Sequence, residues 1–251
     1  MQVWIYAIVS VIIVSALSLI GIATFAFNKK ILYSVLRYMV SFAVGALFGD
    51  AFIHLLPESF EKLGANLATS LYVIAGILIF FVLEKFIRWR HCHVPTSQDH
   101  VHPVVALNLI GDGVHNFIDG MVIAATYLVS IPLGIATTLA VVFHEIPQEF
   151  GDFGVLVHGG LSVKKALFFN FLSALTSILG AFTALLIGVR DPGFTNALLP
   201  ITAGGFIYIA GSDLIPELHE GCDIKISHAL LQFFSIVLGV LVMMSLTFLE
   251  R

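Results

Sequence analysis

Charged residues are scarce in this sequence of 251 residues. They make up 11% of the chain, against the roughly 25% that is usual in soluble domains, whereas hydrophobic residues make up 59%. A soluble domain of this length has too much surface to cover with so few charges. The composition therefore argues against a soluble enzyme, a nucleic-acid-binding protein and a disordered chain. The net charge of -4 and the lack of any basic run leave no surface for a polyanion.

Cysteine is equally rare. The two cysteines, Cys92 and Cys222, are far apart in the chain and form no CxxC pair. We therefore expect neither a disulfide framework nor a zinc finger. The sequence also contains no nucleotide-binding motif, so we expect no ATP hydrolysis and no bound nucleotide.

Long apolar runs are what the sequence has in abundance. A helix needs about 20 mostly apolar residues to cross a bilayer, and strands of a membrane barrel are about ten residues long. The first run has no basic n-region and is too long for a signal peptide. The sequence therefore predicts an all-α polytopic membrane protein with one transmembrane domain. Eight spans are predicted, at 3–27, 35–57, 67–88, 104–128, 133–158, 164–188, 196–217 and 228–249.

The distribution of Lys and Arg predicts the orientation of these spans. If the N-terminus is outside, nine of the 12 basic residues fall on the cytoplasmic side, as the positive-inside rule requires. Both termini are then extracytoplasmic, and the His-bearing loop at 89–103 is cytoplasmic. The compact sequence and the absence of a targeting peptide lead us to expect a multi-pass protein of the cell membrane.

A short internal repeat indicates a second level of organisation. Span 2 ends with the sequence HLLPE at 54–58, and span 7 ends with DLIPE at 213–217. The two segments run in opposite directions through the membrane, as in transporters built from inverted repeats. A match of five residues also arises by chance. If the repeat is real, the architecture is 3+2+3, with spans 4 and 5 as a central hairpin.

Spans 4 and 5 carry the polar residues that suggest chemistry. Residues i and i+4 share one face of a helix, so the polar residues of GDGVHNFIDG and of HEIPQEFGD each form a stripe. A short turn around 129–132 makes the two helices antiparallel neighbours, and their polar stripes can meet at the membrane midplane. Six residues near the centres of the two spans are the candidate ligands: His115, Asn116, Asp119, His144, Glu145 and Gln148.

Burying ionisable groups in a membrane costs free energy, so their presence in spans 4 and 5 indicates a function. A central Asp costs about 2.5–3.5 kcal/mol on insertion scales, and neither span contains a Lys or Arg to pair with Asp119 or Glu145. Imidazole, carboxylate and amide ligands without thiolate suit a borderline divalent cation that must leave again. A polar cluster that only joins helices is the alternative, but two constellations at one depth favour a metal site. Glycines at 111, 113, 120, 151 and 154 predict either close packing or sliding of spans 4 and 5.

The motifs HNFIDG and HEIPQEFGDF resemble the paired signatures of the ZIP (Zrt/Irt-like) metal-ion transporters. The segment GDAFIHLLPE at 49–58 resembles the branch of that family whose span-5 motif reads HEIPHE. The resemblance covers essentially the whole chain. It implies a carrier, not an enzyme, that imports divalent transition metals into the cytoplasm: Zn²⁺ above all, with Fe²⁺, Mn²⁺ and Cd²⁺ as further substrates. The metal ion is then the bound substrate and not a catalytic cofactor.

The resemblance also implies a site and a motion. The six candidate ligands fall in a binuclear centre between spans 4 and 5, where His144 binds metal or orients a ligand. Spans 1, 4, 5 and 6 are expected to move as an elevator against spans 2, 3, 7 and 8. A homodimer is what the family suggests. Gln148 departs from the pattern because this branch usually has a second His there, and an amide is the weaker zinc ligand. One metal position is then weaker, is completed by water, or accepts Mn²⁺ or Fe²⁺ more readily.

Other polar residues are candidates for additional ligands or for the ion pathway. A metal-entry stripe and a solvated helix end are equally good interpretations of the three in span 2. The acidic end of span 7 fits an exit path or a plain loop. The candidates are Asn170, Asp112, Glu149, Asp152, Asp50, His54, Glu58, Asp213, Glu217 and His219. Four histidines of the cytoplasmic loop suggest weak metal sensing or delivery, unless that loop has no function: His91, His93, His100 and His102.

Other protein classes explain the same motifs less well. An intramembrane zinc hydrolase would use the HExxH pattern that His144 and Glu145 begin, but position 148 is Gln and the two-His platform is absent. A cation-efflux exchanger would share the HxxxD of His115 and Asp119, yet such proteins usually have six spans and a cytosolic C-terminal domain. A metal receptor or a purely structural membrane protein is the remaining alternative.

Overall fold

The fold is described by a computed structural model that covers residues 2–25, 29–89, 103–219 and 226–249. Within these ranges the secondary structure is helical and no strand occurs. The helices are α1 (Gln2–Leu17), α2 (Lys29–Gly49), α3 (Leu56–Leu63), α4 (Leu67–Trp89), α5 (Pro103–Val129), α6 (Ile131–His158), α7 (Val163–Ala174), α8 (Thr176–Gly188), α9 (Pro192–Tyr208), α10 (Ile215–His219) and α11 (Ile226–Leu246). Short 3₁₀ segments follow α1 (Ser18–Phe25) and α11 (Thr247–Leu249).

Five stretches of the described residues are long and apolar enough to cross a membrane. They are Gln2–Gly21, Val35–Leu63, Val163–Gly188, Gly193–Ser212 and Ile226–Leu246. The chain is therefore a helical, polytopic membrane protein. Helices α5 and α6, which carry most of the buried ionisable residues among the described ones, are not among the five, although about 27 residues of helix extend about 40 Å.

The second helical stretch is longer than its apolar run predicts. It begins at Lys29 and continues to Leu63, whereas the prediction placed the span at 35–57. An ion pair between Glu58 and Lys62 (3.1 Å) supports the last turns, where apolar residues no longer dominate. Hydropathy marks only the apolar part of a helix, so polar turns at either end escape it.

Helices α5 and α8 cross at two glycines. A Cβ atom on Gly120 would collide with the carbonyl oxygen of Ser177, and one on Gly180 would collide with that of Phe117. Small residues let helix backbones approach closely where lipid surrounds them. The sequence predicted that the glycines near the motifs pack spans 4 and 5 together. For Gly120 that prediction is wrong, because the helix it approaches is α8, in span 6.

The same reciprocal arrangement joins two other helix pairs, α2 with α11 and α4 with α9. In each pair, one glycine of each helix lies against a carbonyl group of the other, so the two backbones are in direct contact. The glycines and the carbonyl groups that they approach are Gly45 and Ile236, Gly239 and Phe42, Gly76 and Ile201, and Gly204 and Val73. These pairs form two closely packed units beside the central helices.

Helix α1 is tied to the central helices by side-chain hydrogen bonds. The hydroxyl groups of Ser10 and Tyr127 are 2.9 Å apart, which joins α1 to α5. Those of Ser15 and Ser177 are 2.8 Å apart, which joins α1 to α8. All four residues are buried or nearly so. Helices α1, α5 and α8 therefore form one polar-bonded bundle, distinct from the two pairs that glycines hold together.

Two π-helical segments, Asp50–Leu55 and Ile209–Leu214, continue α2 and α9. Each ends two residues before a proline, Pro57 in one case and Pro216 in the other. In both, the amide of the residue before the proline donates to the carbonyl five residues back. Proline offers no N–H and its ring crowds the preceding turn, and a wider turn accommodates both effects.

Candidate metal centre

Helices α5 and α6 form an antiparallel hairpin whose single connecting residue is Ser130. Its hydroxyl accepts a hydrogen bond from the backbone N–H of Leu133 (3.2 Å) and caps α6. Pro132 lies in the first turn, where a backbone N–H has no partner within the helix. The sequence-based prediction of a short turn at 129–132 is confirmed, and the polar stripes of the two helices lie side by side.

Four side chains of this hairpin converge on one point. One ligand atom each from His115, Asp119, His144 and Glu145 lies within 4.8 Å of all the others. His144 Nε2 is 3.1 Å from Asp119 Oδ2 and 3.6 Å from Glu145 Oε1. His115 Nε2 is 3.6 Å and 3.4 Å from the same two oxygens. We call these four residues the His–carboxylate cluster.

The orientation of His144 is fixed by its own helix. Its Nδ1 lies 3.1 Å from the carbonyl oxygen of Ala140, one turn earlier. A carbonyl can only accept a hydrogen bond, so Nδ1 carries the proton in this arrangement, and Nε2 directs its lone pair into the cluster. A ring nitrogen anchored in this way is the usual arrangement of a metal-binding histidine.

Burial shields the carboxylate oxygens of the cluster from water, and most of them have no hydrogen-bond donor among the described residues. Asp119 and Glu145 have no exposed surface, and His144 is 1% exposed. Asp119 Oδ1 and both oxygens of Glu145 accept no hydrogen bond from the described residues. The sequence has no Lys or Arg between positions 103 and 158. Two carboxylates and two imidazoles that point at one another in an apolar region require a cation or protons between them.

Aromatic rings from the neighbouring helices face the two histidines. The ring of Phe80 on α4 meets that of His115 edge-on at 5.9 Å, and the ring of Phe206 on α9 meets that of His144 at 6.1 Å. Both phenylalanines are buried. The side chain of His115 is 15% exposed, more than the other three members of the cluster. Spacing along the chain does not predict these aromatic contacts, because the phenylalanines come from distant segments.

The two amides among the six candidate ligands differ in their surroundings. Asn116 is fully buried, and its Nδ2 donates to Asp112 Oδ1 (2.8 Å), while its Oδ1 has no donor among the described residues. Gln148 is half-buried. The structure thus brings four of the six candidates into one cluster. Asn116 follows a member of that cluster in the chain and also contacts a second polar group.

That second group lies one turn away along both helices of the hairpin. Asn170 Nδ2 donates to Glu149 Oε2 (2.5 Å), and Asn108 Nδ2 donates to Asp152 Oδ1 (2.9 Å). Ser173 donates to Asp112 and to the carbonyl of Asn170. The sequence did not single out two of these residues, although Asn108 and Ser173 each lie about one helical turn from a predicted one. We call the group the oxygen cluster; its members are Asn108, Asp112, Glu149, Asp152, Asn170 and Ser173.

The three candidates in span 2 lie apart from these clusters. Asp50 and His54 are buried, and His54 Nε2 donates to the carbonyl of Met243 (2.9 Å). Asp50 Oδ2 accepts a hydrogen bond from Thr137 of α6 (2.9 Å). The interpretation as a solvated helix end is therefore wrong for these two residues. Glu58, which pairs with Lys62, is partly exposed.

The remaining candidates belong to the end of predicted span 7 and to the loop at 89–103. His219 is exposed at the end of α10. The predictions for the side chains of Asp213 and Glu217 lie outside the described part of the chain. The same holds for the four loop histidines, His91, His93, His100 and His102.

The bond between Thr137 and Asp50 links the glycine-paired helices to α6, and its loss is expected to destabilise the protein. Replacing Thr137 with Val leaves a buried carboxylate with one donor fewer, which costs about 1–3 kcal/mol. The matched control is Thr126→Val, because Thr126 is equally buried but bonds only within its own helix. Thermal unfolding in detergent should show a clearly lower melting temperature for Thr137→Val and only a slightly lower one for Thr126→Val. Equal losses would show that the bond to Asp50 contributes nothing particular.

The chain is similar in sequence to one protein family and to several known proteins. The sequence model of a family described as ZIP Zinc transporter matches residues 1–104 and 95–247 of the chain. Among curated proteins, Zinc transporter ZIP13 of Mus musculus is 34% identical over 84% of this chain and 70% of its own length. Zinc transporter zipt-7.1 of Caenorhabditis briggsae is 32% identical over 82% of this chain and 69% of its own.

A third relative is named for metal cations in general and not for zinc alone. Metal cation symporter ZIP14 of Homo sapiens is 28% identical over 88% of this chain and 61% of its own length. The chain therefore spans only part of each of these relatives, and for ZIP14 that part is less than two thirds. The family model covers the segments that form both polar clusters.

Proposed function

Since the chain belongs to the ZIP zinc transporter family, we propose that it carries divalent transition-metal ions across a membrane, with Zn²⁺ as the main substrate. The observation that carries this proposal is the His–carboxylate cluster. It offers two imidazole nitrogens and two carboxylates, largely buried and with no Lys or Arg in α5 or α6 to pair with them. Mixed nitrogen and oxygen ligands without thiolate hold zinc reversibly, as transport requires.

The substrate range follows from the same donor set. Imidazole nitrogen favours Zn²⁺, Fe²⁺ and Cd²⁺ over Mg²⁺, which prefers oxygen ligands and loses its water reluctantly. Gln148, if it joins the site, adds a neutral ligand weaker than the His usual in the HEIPHE branch, so Mn²⁺ and Fe²⁺ become better competitors. Asn116 is the other amide candidate, and its unpartnered Oδ1 supports that role.

We further propose eight transmembrane spans in an inverted repeat of three, two and three. Gly45 and Gly204 support this arrangement, since each lies 12 residues before the proline that follows a π-helical segment. Each also belongs to a reciprocal glycine crossing, α2 with α11 in one half and α4 with α9 in the other. An inverted repeat that relates span 2 to span 7 and span 3 to span 8 exchanges these two crossings.

The movement that we propose is an elevator-like displacement of one bundle against the other. Hydrogen bonds hold α1, α5 and α8 together, and glycine crossings hold α2 with α11 and α4 with α9. Between the bundles, Phe80 and Phe206 present apolar rings to His115 and His144. An apolar contact of this kind is non-directional, so it permits sliding at lower cost than a hydrogen-bonded one. The hydrogen bond from Thr137 to Asp50 also crosses between the bundles, and it has to break in this movement.

Transport is proposed to run into the cytoplasm across the cell membrane. The charge distribution supports extracytoplasmic termini and places the loop at 89–103 inside. An ion released along α5 and α6 past the oxygen cluster then leaves on the side of that loop. An organelle membrane is the other location to consider, and imaging of the tagged chain in its own cells distinguishes the two.

Zinc influx into proteoliposomes tests the proposal. The full chain, reconstituted in known orientation, is expected to show saturable uptake of radiolabelled Zn²⁺ that Cd²⁺ blocks and Mg²⁺ does not. Vesicles without protein measure the passive leak of metal ions, which is subtracted. If Mn²⁺ or Fe²⁺ enters and Zn²⁺ does not, the site stands and zinc as the main substrate is wrong. Absence of influx of any of these metals by folded protein would contradict transport and favour a receptor or a hydrolase.

A further inference from the structure

The two histidines of the His–carboxylate cluster belong to a row of four aromatic rings. Between ring centroids, Phe80 is 5.9 Å from His115, His115 is 5.6 Å from His144, and His144 is 6.1 Å from Phe206. The planes of successive rings are inclined by 88°, 82° and 64°, so each contact is edge-on. Helices α4 and α9 therefore cover the pair of imidazoles from the two ends of the row.

The two ends of this row are not equally closed. At one end, Phe206 and His144 are each 1% exposed. At the other end, Phe80 is 6% exposed, and the side chain of His115 keeps 15% of its surface. The two carboxylates of the cluster have no exposed surface, so the part of the cluster that is still accessible belongs to His115. In this conformation, an ion that reaches or leaves the cluster passes His115, beside the ring of Phe80.

The ring of Phe80 rests on a glycine of the neighbouring helix. A Cβ atom on Gly205 of α9 would overlap this ring. The preceding residue, Gly204, lies against the backbone of α4, and the following residue, Phe206, faces His144. Three consecutive residues of α9 thus hold α4 close, leave room for one ring and supply the other. The space beside Gly205 is where the ring of Phe80 can turn.

From these observations we propose that Phe80 is an aromatic gate of the transport site. Its ring blocks the accessible side of the His–carboxylate cluster, and it turns over Gly205 to let a metal ion pass. The gate rests on the proposed transport function, because it acts on an ion that the cluster holds. No item of the ligand set is involved, since a phenyl ring offers no nitrogen, oxygen or sulfur to the metal.

A gate of this kind has a kinetic signature. Closing a site with an apolar group keeps water away from the bound ion and delays its exchange. The ring of Phe80 stands in the path in both directions, so it slows binding and release by the same factor and leaves the affinity unchanged. A residue that merely orients a ligand, or merely supports the fold, changes the affinity instead.

Release of zinc from the purified full chain in nanodiscs tests the gate. The chain is loaded with one equivalent of Zn²⁺ and mixed rapidly with an excess of a fluorescent chelator, which reports the release rate. Phe80→Ala is expected to release zinc about two- to tenfold faster, the factor that corresponds to the loss of one aromatic pair. Equilibrium competition with the same chelator should give the affinity of the wild type. Phe80→Leu keeps an apolar side chain in the core and should give an intermediate rate.

Gly205→Ala changes the gate from its other side. The atoms nearest to the new methyl group all belong to the ring of Phe80. The ring then has less space to turn, so release should be slower than in the wild type. In the double variant with Phe80→Ala, the methyl group meets no ring and should have no further effect. This dependence of one change on the other is what a direct contact predicts.

Phe81→Ala is the matched control. Phe81 is the next residue of the same helix, is 45% exposed, and its ring faces Tyr208. This variant should release zinc at the rate of the wild type. Equal acceleration in Phe81→Ala, or unchanged release in both Phe80→Ala and Phe80→Leu, would overturn the gate. Faster release with an unchanged binding rate would also overturn it, since Phe80 would then orient a ligand. A wild-type chain that binds no zinc would contradict the proposed function, and the gate with it.

Discussion

Replacement of Glu145 by Ala is expected to abolish saturable zinc uptake while leaving the protein folded and inserted. Glu145 contributes an oxygen that lies 3.4 Å from His115 Nε2 and 3.6 Å from His144 Nε2, and neither of its oxygens has a hydrogen-bond donor within the described ranges. Loss of partners around a bound metal already costs about 10–100-fold in affinity or activity, so loss of a direct ligand costs at least about 100-fold. Removing an uncompensated buried charge does not by itself destabilise the fold.

The measurement is initial-rate uptake of radiolabelled zinc in proteoliposomes that contain equal amounts of folded protein. His115→Ala is the second variant of the same site and should behave similarly, since its imidazole faces the same two carboxylates. Glu61→Ala removes an exposed acid and serves as the control. Near-normal saturable uptake by both site variants would exclude the His–carboxylate cluster as the transport site.

Replacement of Gly120 by Ala is expected to lower stability, although Ala is the better helix former. The new methyl group would collide with the carbonyl oxygen of Ser177, so α5 and α8 must separate. Overpacking of this kind costs about 1–3 kcal/mol and more where backbone has to move. The hydrogen bonds that tie α1 to both helices would be strained by the same displacement.

The matched control is Gly154→Ala in α6. Apart from its own helix, no atom of the described part of the chain lies within 4 Å of a Cβ at that position, so the change should be neutral or gain up to about 1 kcal/mol from helix propensity. Thermal unfolding of the two variants in the same detergent should show a lower melting temperature for Gly120→Ala and an unchanged or higher one for Gly154→Ala. A Gly120→Ala variant as stable as Gly154→Ala would contradict the crossing of α5 and α8.

Much of the hairpin that carries the site could be predicted from sequence spacing alone. His115 and Asp119 are four residues apart, so they share a helix face whatever surrounds them. The short turn at Ser130 then forces α6 back along α5, which brings His144 and Glu145 to the same depth. These are local consequences of helix geometry, and they require no knowledge of the other helices.

The rest of the site depends on which helices pack together, and no single sequence specifies that. Gly120 and Gly154 look alike in the sequence, yet Gly120 lies against α8, whereas a Cβ on Gly154 would meet no other helix among the described residues. In the sequence, Thr137 and Ser173 are ordinary polar residues of apolar helices. Only the folded chain shows that they donate hydrogen bonds to Asp50 and Asp112, which come from other helices. The π-helical segments likewise follow from prolines whose effect on the preceding turn depends on the surrounding packing.

X-ray absorption spectroscopy at the zinc edge, on the purified chain, tests most directly whether the His–carboxylate cluster holds the metal ion. With one equivalent of Zn²⁺, the spectrum is predicted to show imidazole nitrogens and carboxylate oxygens at about 2.0–2.2 Å and no sulfur. The imidazole signal should disappear in the variant His115→Ala with His144→Ala, which leaves the loop histidines and His54 in place. An imidazole signal of unchanged strength in that variant would contradict the assignment and place the tight zinc site elsewhere in the chain.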